Sequence, residues 1–476
     1  MVLKKNIPTS KTHEKITGQN LTTGPIVQQL WSLAWPMMLS IFFYTLYNLV
    51  DAFWVSKVSP EAIAAVSIAQ ITLFIMVALS MGLTVGSSVI MAMDIGAKKM
   101  DEAGRVLGQS FVLSGIAGIF FSILAIVFKT ELLIASGASG AIFAPALEYF
   151  TVTAGGSILF FLLTTIMFAF NAQGDTFTLT KLFALSTLVN LILDPVLIFG
   201  WAGFPALGIA GAAWATLISQ AVFIAIALRS LSSKHRLIQF HFRNLSFRWE
   251  SVKKVLTIGI PGSLTQVLNP IGLAALTFIT FAGFMEPGTV AFSLGFRIEF
   301  FAFLPAVGFG VGAMAMIGQN IGAGNIERAK EAFNKALQYG FTAAAGLGVV
   351  AAVFANQIIA VFTTDPTVTS YARLYLHTVA LSYGFLSAMM VEASAFQAIG
   401  KSWPGFWIFF IRFFVISIPL SYVLTQVFHF PIVAIWLSII AGNVIAASIG
   451  YFWITKKMRT LSLDETPVAD HQIPIV

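Results

Sequence analysis

The chain has 476 residues, 58% of them hydrophobic and only 10% charged, where soluble domains run near 25% charged. With a mean hydropathy of +0.87 this is the composition of a polytopic membrane protein. There is no cysteine and no HExxH pair among the six histidines, which excludes a disulfide framework, thiolate metal sites and zincin chemistry.

Residues 1–27 are polar and basic, without the apolar core and cleavage site of a secretory signal, and read as a cytoplasmic N-terminal tail. Twelve apolar stretches long enough to span a membrane follow, near 28–55, 62–92, 105–128, 142–170, 179–200, 207–228, 252–282, 289–317, 336–362, 369–397, 404–427 and 432–454. Pro36, inside the first, removes a backbone hydrogen bond and favours a bend. Residues 28–228 form an N-terminal six-helix lobe, 229–251 a basic cytoplasmic linker, 252–455 a C-terminal six-helix lobe and 456–476 a cytoplasmic tail. The predicted fold is an all-α integral membrane protein of twelve transmembrane helices in two lobes, related by a pseudo-two-fold axis along the membrane normal.

Basic residues orient the chain. Of 27 Lys and Arg, 22 fall on the side of the termini, including Lys4, Lys5, Lys11 and Lys15 in the tail. Only Lys57 and Lys129 fall in opposite loops. Both termini are therefore expected in the cytoplasm and the chain in the plasma (inner) membrane. This bias accounts for the net charge of +7 without a nucleic-acid partner.

The halves repeat. Gly82 and Gly86 match Gly308 and Gly312, an offset of 226; Ile95-Gly96-Ala97 matches Ile321-Gly322-Ala323, and FNAQG at 170–174 matches FQAIG at 396–400, at the same offset. Pro36 matches Pro261 with one residue of slippage. GxxxG alone would mean only close helix packing. A constant offset across separate regions means duplication, and parallel repeats around a cleft suit alternating access.

Two acids lie inside spans: Asp51 in FFYTLYNLVDAFWVS and Asp194 in STLVNLILDPVLIFG. A carboxylate at mid-span costs about 2.5–3.5 kcal/mol on insertion scales and marks an ion or proton site by default. Helix rise puts both in the outer half at similar depth, where they could bind a cation or share a proton. Tyr47 and Asn48 lie about one turn before Asp51, and Asn190 one turn before Asp194, on the same face. Pro195 predicts irregular helix that could free a carbonyl, and Thr216 offers a hydroxyl. The alternative for either acid is a structural hydrogen bond between helices.

The second half lacks this pair, with Leu276 or Thr277 opposite Asp51 and Leu420 opposite Asp194. Its acids are Glu299, either a substrate contact or a structural partner, and Glu392, expected to be structural. Arg297 lies two residues from Glu299 on a different face, and Arg297 and Arg412 make no apparent cluster. Most of the 45 Phe and 15 Met must pack or face lipid; a few lining a cleft would suit apolar cations.

TLYNLVDAFWVS at 45–56, PEAIAAVSIA at 60–69, IGAKKMDEA at 95–103, VNLILDPVLIF at 189–199 and GIAGAAWATLIS at 208–219 resemble the multidrug and toxic compound extrusion (MATE) transporters, over about residues 28–456. The details resemble most the DinF-type branch; a span-seven glutamate typical of the NorM-type branch is missing from SLTQVLNPIGLAAL. The resemblance implies a monomeric antiporter without cofactor, expelling amphipathic organic cations and related small-molecule drugs against H⁺ or Na⁺. It implies a cation site of Asp51, Asn190, Asp194 and Thr216, with Tyr149 nearby and the first helix bending at Pro36. Na⁺ would be held by Asp51, Asp194 and Asn190. The family's cation-facing asparagine of span four aligns with Met167, and losing that oxygen tilts the expectation toward H⁺. Met167 and Glu299 stand as possible substrate contacts. A lipid-linked oligosaccharide flippase would need a cationic cavity, a membrane enzyme a catalytic cluster; neither is visible, and the repeat favours a carrier over a channel.

Overall fold

The computed structural model describes residues 18–245 and 247–463, and its regular elements are helices. Lys4, Lys5, Lys11 and Lys15 lie outside the described residues. The helices are α1 (Ile26–Ser56), α2 (Pro60–Gly96), α3 (Met100–Val127), α4 (Lys129–Ala135), α5 (Phe143–Gly155), α6 (Ser157–Ala172), α7 (Thr176–Phe199) and α8 (Gly208–Leu231) in the first half. The second half holds α9 (Trp249–Gly322), α10 (Ile326–Val353), α11 (Ala355–Ala360), α12 (Pro366–Thr378), α13 (Tyr383–Ala398), α14 (Trp403–Phe410), α15 (Ile418–Tyr422) and α16 (Val433–Leu463). Among the described residues, ten segments are long and apolar enough to cross a membrane, or eleven with α5 and α6 joined across their 51° bend.

Local chemistry sets the helix ends. Ser59 caps α2 by accepting from the Ala62 amide at 3.1 Å, with Pro60 in the first turn. Asp175 caps α7 by accepting from Thr178, and Gly200 ends that helix in the left-handed conformation, where glycine carries no Cβ penalty.

α1 and α7 run side by side in a fixed register. Thr176 Oγ1 donates to the Ser32 carbonyl at 3.3 Å, Thr180 Oγ1 to the Pro36 carbonyl at 2.6 Å and Thr187 Oγ1 to the Phe43 carbonyl at 3.3 Å, each pair 144 residues apart. The Ser32 carbonyl is the one that loses its helical partner because Pro36 has no N–H. Thr176 supplies the missing donor, and α1 stays helical through Pro36.

The halves meet along glycine seams. A Cβ on Gly82 would lie 1.7 Å from Ser263 Oγ, and one on Gly86 2.3 Å from the Val255 carbonyl, where α2 meets α9. A Cβ on Gly308 would lie 2.9 Å from the Ala34 carbonyl, and one on Gly312 3.4 Å from Leu33, where α9 meets α1. Gly96 abuts the Gln319 carbonyl and Gly322 the Met93 carbonyl, so α2 and α9 also touch at their C-terminal ends. All these approaches belong to the half of the molecule where α1 begins. That end carries Lys98, Lys99, Arg236 and Arg328 and is called the basic end below.

Four expectations need correction. The loop expected at 283–288 is absent: helix runs on both sides of one non-helical residue, Met285. The stretch expected as a tail to residue 27 is already helical from Ile26, and Leu21 within it is fully buried. The linker is not simply solvated. Arg236 pairs with Asp175, Ile238 is fully buried, and Phe240 packs on Phe111 at 4.9 Å. Leu21, Ile238 and Phe240 are apolar residues in polar stretches, and burying them outweighs leaving the segments free. The C-terminal lobe does not end at 455, since α16 continues to Leu463.

Candidate functional site

α1 and α7 carry both intramembrane aspartates to one level at the far end from the basic residues. Asp51 lies five residues before Ser56, the last of α1, and Asp194 five before Phe199, the last of α7. The threonine register puts Asp194 beside Val50, next to Asp51. Asp51 is 3% exposed and Asp194 fully buried.

Their surroundings are polar but sparsely bonded. Asn190 Nδ2 donates to Asp194 Oδ1 at 3.0 Å, the one-turn pair expected from the sequence. Tyr47 and Tyr149 lie within electrostatic reach of both carboxylates. Thr216 stands beside Tyr47, though the Tyr47 hydroxyl forms no hydrogen bond of good geometry. Gln70, which sequence reasoning missed, neighbours Tyr149. Asp51 Oδ1, Asp194 Oδ2, Asn190 Oδ1 and the Tyr47 hydroxyl are all buried without a protein partner. Buried polar atoms are nearly always bonded, so four unbonded ones in one cluster mark a place equipped to take a proton or cation.

Three residues named from the sequence sit differently from what their spacing suggests. Asn48 Nδ2 donates to the Tyr44 carbonyl of its own helix at 2.7 Å, not to a carboxylate. α7 stays helical across Pro195; the proline withholds a donor from the Leu191 carbonyl without breaking the helix. Met167 is packed in the larger apolar core, whereas Tyr149, Val55 and Ile198, the apolar neighbours of the acid cluster, belong to the smaller one.

Glu299 also resolves differently. Its Oε2 accepts from the Tyr375 hydroxyl at 2.7 Å, and its Oε1 lies 3.8 Å from Arg412 Nη2, with both side chains buried. Arg412 sits on a wide π-helical stretch, Ile411–Ser417, between α14 and α15. The arginine was visible in FFIRFF, but its partner lies in another helix, so local spacing could not pair them. Both carboxylate oxygens of Glu299 thus face protein groups on other helices. Glu392 is buried against Gly450 of α16, with Oε2 unbonded. Among the described residues no three His, Cys, Asp or Glu side chains gather as a metal site.

The MatE family model matches residues 36–196 and again 263–423. This chain belongs to the MatE family. The double match has the spacing of the internal repeat. The MatE chain is 28% identical to the FAD transporter of Shewanella oneidensis over 84% of its own length and 88% of the relative's. It is 24% identical to the probable multidrug resistance protein NorM of Thermotoga maritima, over 89% and 91% of the two chains. Among solved structures it superposes on the outward-facing conformation of a multidrug resistance MATE family transporter of the MOP superfamily. That match has TM-score 0.87 and 26% identity, covering 94% of this chain and 100% of the other.

Proposed function

We propose that this MatE protein is a secondary-active exporter of amphipathic organic cations, of the DinF-type branch, driven by inward H⁺. The carrying observation is the pair of buried aspartates, held at one level with unbonded oxygens. Twelve spans follow if α5–α6 counts as one and α9 as two, divided at Met285. They would form two six-helix lobes, α1–α8 and α9–α16, with the basic end cytoplasmic by the positive-inside rule. Tight seams at that end and an acid site toward the other support an outward-facing arrangement.

In the proposed cycle a proton entering from outside neutralises the Asp51–Asp194 cluster. Neutralisation removes the charge that attracts a cationic drug, and the drug leaves. The lobes rock, the proton departs to the cytoplasm and a new drug enters. Coupling requires the cluster to hold its proton differently in the two states; Asn190, bonded to one oxygen of Asp194, and Tyr47, bonded to nothing, are positioned to make that difference.

The test is drug efflux from vesicles with an imposed gradient. Asp51→Asn and Asp194→Asn should each lower gradient-driven efflux by about tenfold or more, the effect of about 1.4 kcal/mol of coupling. Full efflux in both variants would remove the aspartates from the mechanism. A second reading, export of an anionic flavin nucleotide, is favoured by the FAD transporter relative. It predicts FAD export that organic cations do not inhibit.

A further inference from the structure

Residues 18–23 precede the first span and touch both halves of the chain. The Leu21 amide donates to Gln319 Oε1 at 3.1 Å, and the Leu21 carbonyl accepts from Asn320 Nδ2 at 3.0 Å and Arg328 Nε at 3.2 Å. All three partners lie on α9 or α10, about 300 residues away in sequence. On the other side, the Gln19 amide donates to the Gln173 carbonyl at 3.0 Å, in the turn between α6 and α7. Gln173 also binds the linker, accepting from the Ile238 amide at 3.1 Å. Gln319 closes the ring by donating to the Ala172 carbonyl at 2.9 Å.

The fit is close. Leu21 is fully exposed to neither solvent nor lipid, at 0% exposure. A Cβ on Gly18, whose φ is +125°, would lie 2.8 Å from Leu237 and 3.2 Å from the Gln173 carbonyl. A Cβ on Gly174, whose φ is +68°, would lie 3.4 Å from the side chains of both Gln19 and Leu21. These backbone-directed bonds hold the segment by its main chain, which a passing surface contact would not do.

We propose that residues 18–23 are a strap that fastens the two halves together at the basic end, and that it must release before that end can open. Opening separates Gln173 from Gln319 and Asn320, and the strap cannot keep both sets of bonds across the gap. It therefore adds to the stability of the closed basic end and sets how often the other state is visited. This goes beyond the coupling site, because it concerns the gate at the opposite end of the spans.

The chain has no cysteine, so two introduced cysteines can be spin-labelled without background. Asp101→Cys at the start of α3 and Glu331→Cys on α10 put labels on exposed basic-end positions in different halves. Distance distributions are then measured on the full chain in lipid nanodiscs. Leu21→Asp forces a carboxylate into the buried strap site, and Gln19→Pro removes the amide donor to Gln173 together with the side-chain oxygen that accepts from Ser32 Oγ. Each should raise the population of the longer distance, by about tenfold for Leu21→Asp, whereas Thr23→Ala, at an exposed position, should leave it unchanged. Unchanged distributions in both strap variants overturn the proposal, as does an equal shift in Thr23→Ala. If Leu21→Asp does not fold, Gln19→Pro alone decides by the same criterion. The readout is a distance, so it stands whatever ion or drug is carried.

Discussion

Asp194 has one oxygen held by Asn190 and one held by nothing in the protein. Glu299 has both oxygens engaged, by Tyr375 and Arg412. That contrast is what the proposed function uses to set Asp194 apart from Glu299. It also gives a prediction. Removing one member of a buried ion pair costs about 3–5 kcal/mol, whereas replacing both with apolar residues is often nearly neutral. Arg412→Met should therefore lower thermal stability in detergent strongly, and Arg412→Met with Glu299→Met should recover most of the loss. Equal losses in the single and double variants would mean that the pair is not coupled. Asp51 and Asp194 were legible in the sequence because a charge in an apolar run is costly whatever surrounds it. The Glu299–Arg412 pair was not, because no local spacing reports which helix faces which. Asn48 was misread for the opposite reason: proximity in sequence pointed to Asp51, but an asparagine on a helix can bond back to its own carbonyls.

At the scale of elements, the seam between α1 and α7 explains how a helix keeps its form through a proline. Pro36 strands the Ser32 carbonyl, and Thr176 answers it. Ser40 Oγ and Thr180 Oγ1 both donate to the Pro36 carbonyl itself. The repeat keeps part of this device, since Thr265 Oγ1 donates to the Pro261 carbonyl at 2.8 Å. A double-mutant cycle tests the dependence. Thr176→Val should cost about 1–3 kcal/mol, the range for leaving a buried acceptor unsatisfied. In a Pro36→Ala background, where residue 36 regains its N–H, the same change should cost less than half as much. Equal costs in the two backgrounds, measured by thermal unfolding, would detach the threonine from the proline. Most span positions were legible to within a few residues, because apolar length is a strong signal, but α10 begins ten residues before the predicted ninth span and α16 runs nine past the predicted twelfth. The hydroxyl register was readable only as threonines three or four apart, and their partners on α1 required the packing. A break at 283–288 was legible, because Gly283, Pro287 and Gly288 mark a turn; that it narrows to one non-helical residue, Met285, was not.

For the whole molecule, the duplication was legible in a constant offset, and its glycine pairs do pack closely. What the offset could not convey is that both seams, and the strap and linker beneath them, gather at the basic end, while the acid cluster lies toward the other. This polarity bears on the coupling ion. A Na⁺ site needs several oxygens converging on one point, and the oxygens at hand come from Asp51, Asp194, Asn190, Thr216 and Tyr47. Met167 brings none and is packed in a different apolar core from the residues around the acids. A proton needs only one carboxylate oxygen, and two stand unbonded. Proteoliposomes nominally free of Na⁺ should therefore export drug under an imposed inward pH gradient, and a protonophore should cut that rate by about tenfold or more. An inward Na⁺ gradient at equal pH on both sides should drive no export above that of the Asp51→Asn/Asp194→Asn double variant. Export driven by Na⁺ alone, with the pH gradient ineffective, would reverse the assignment and require oxygen ligands beyond those gathered around the two aspartates.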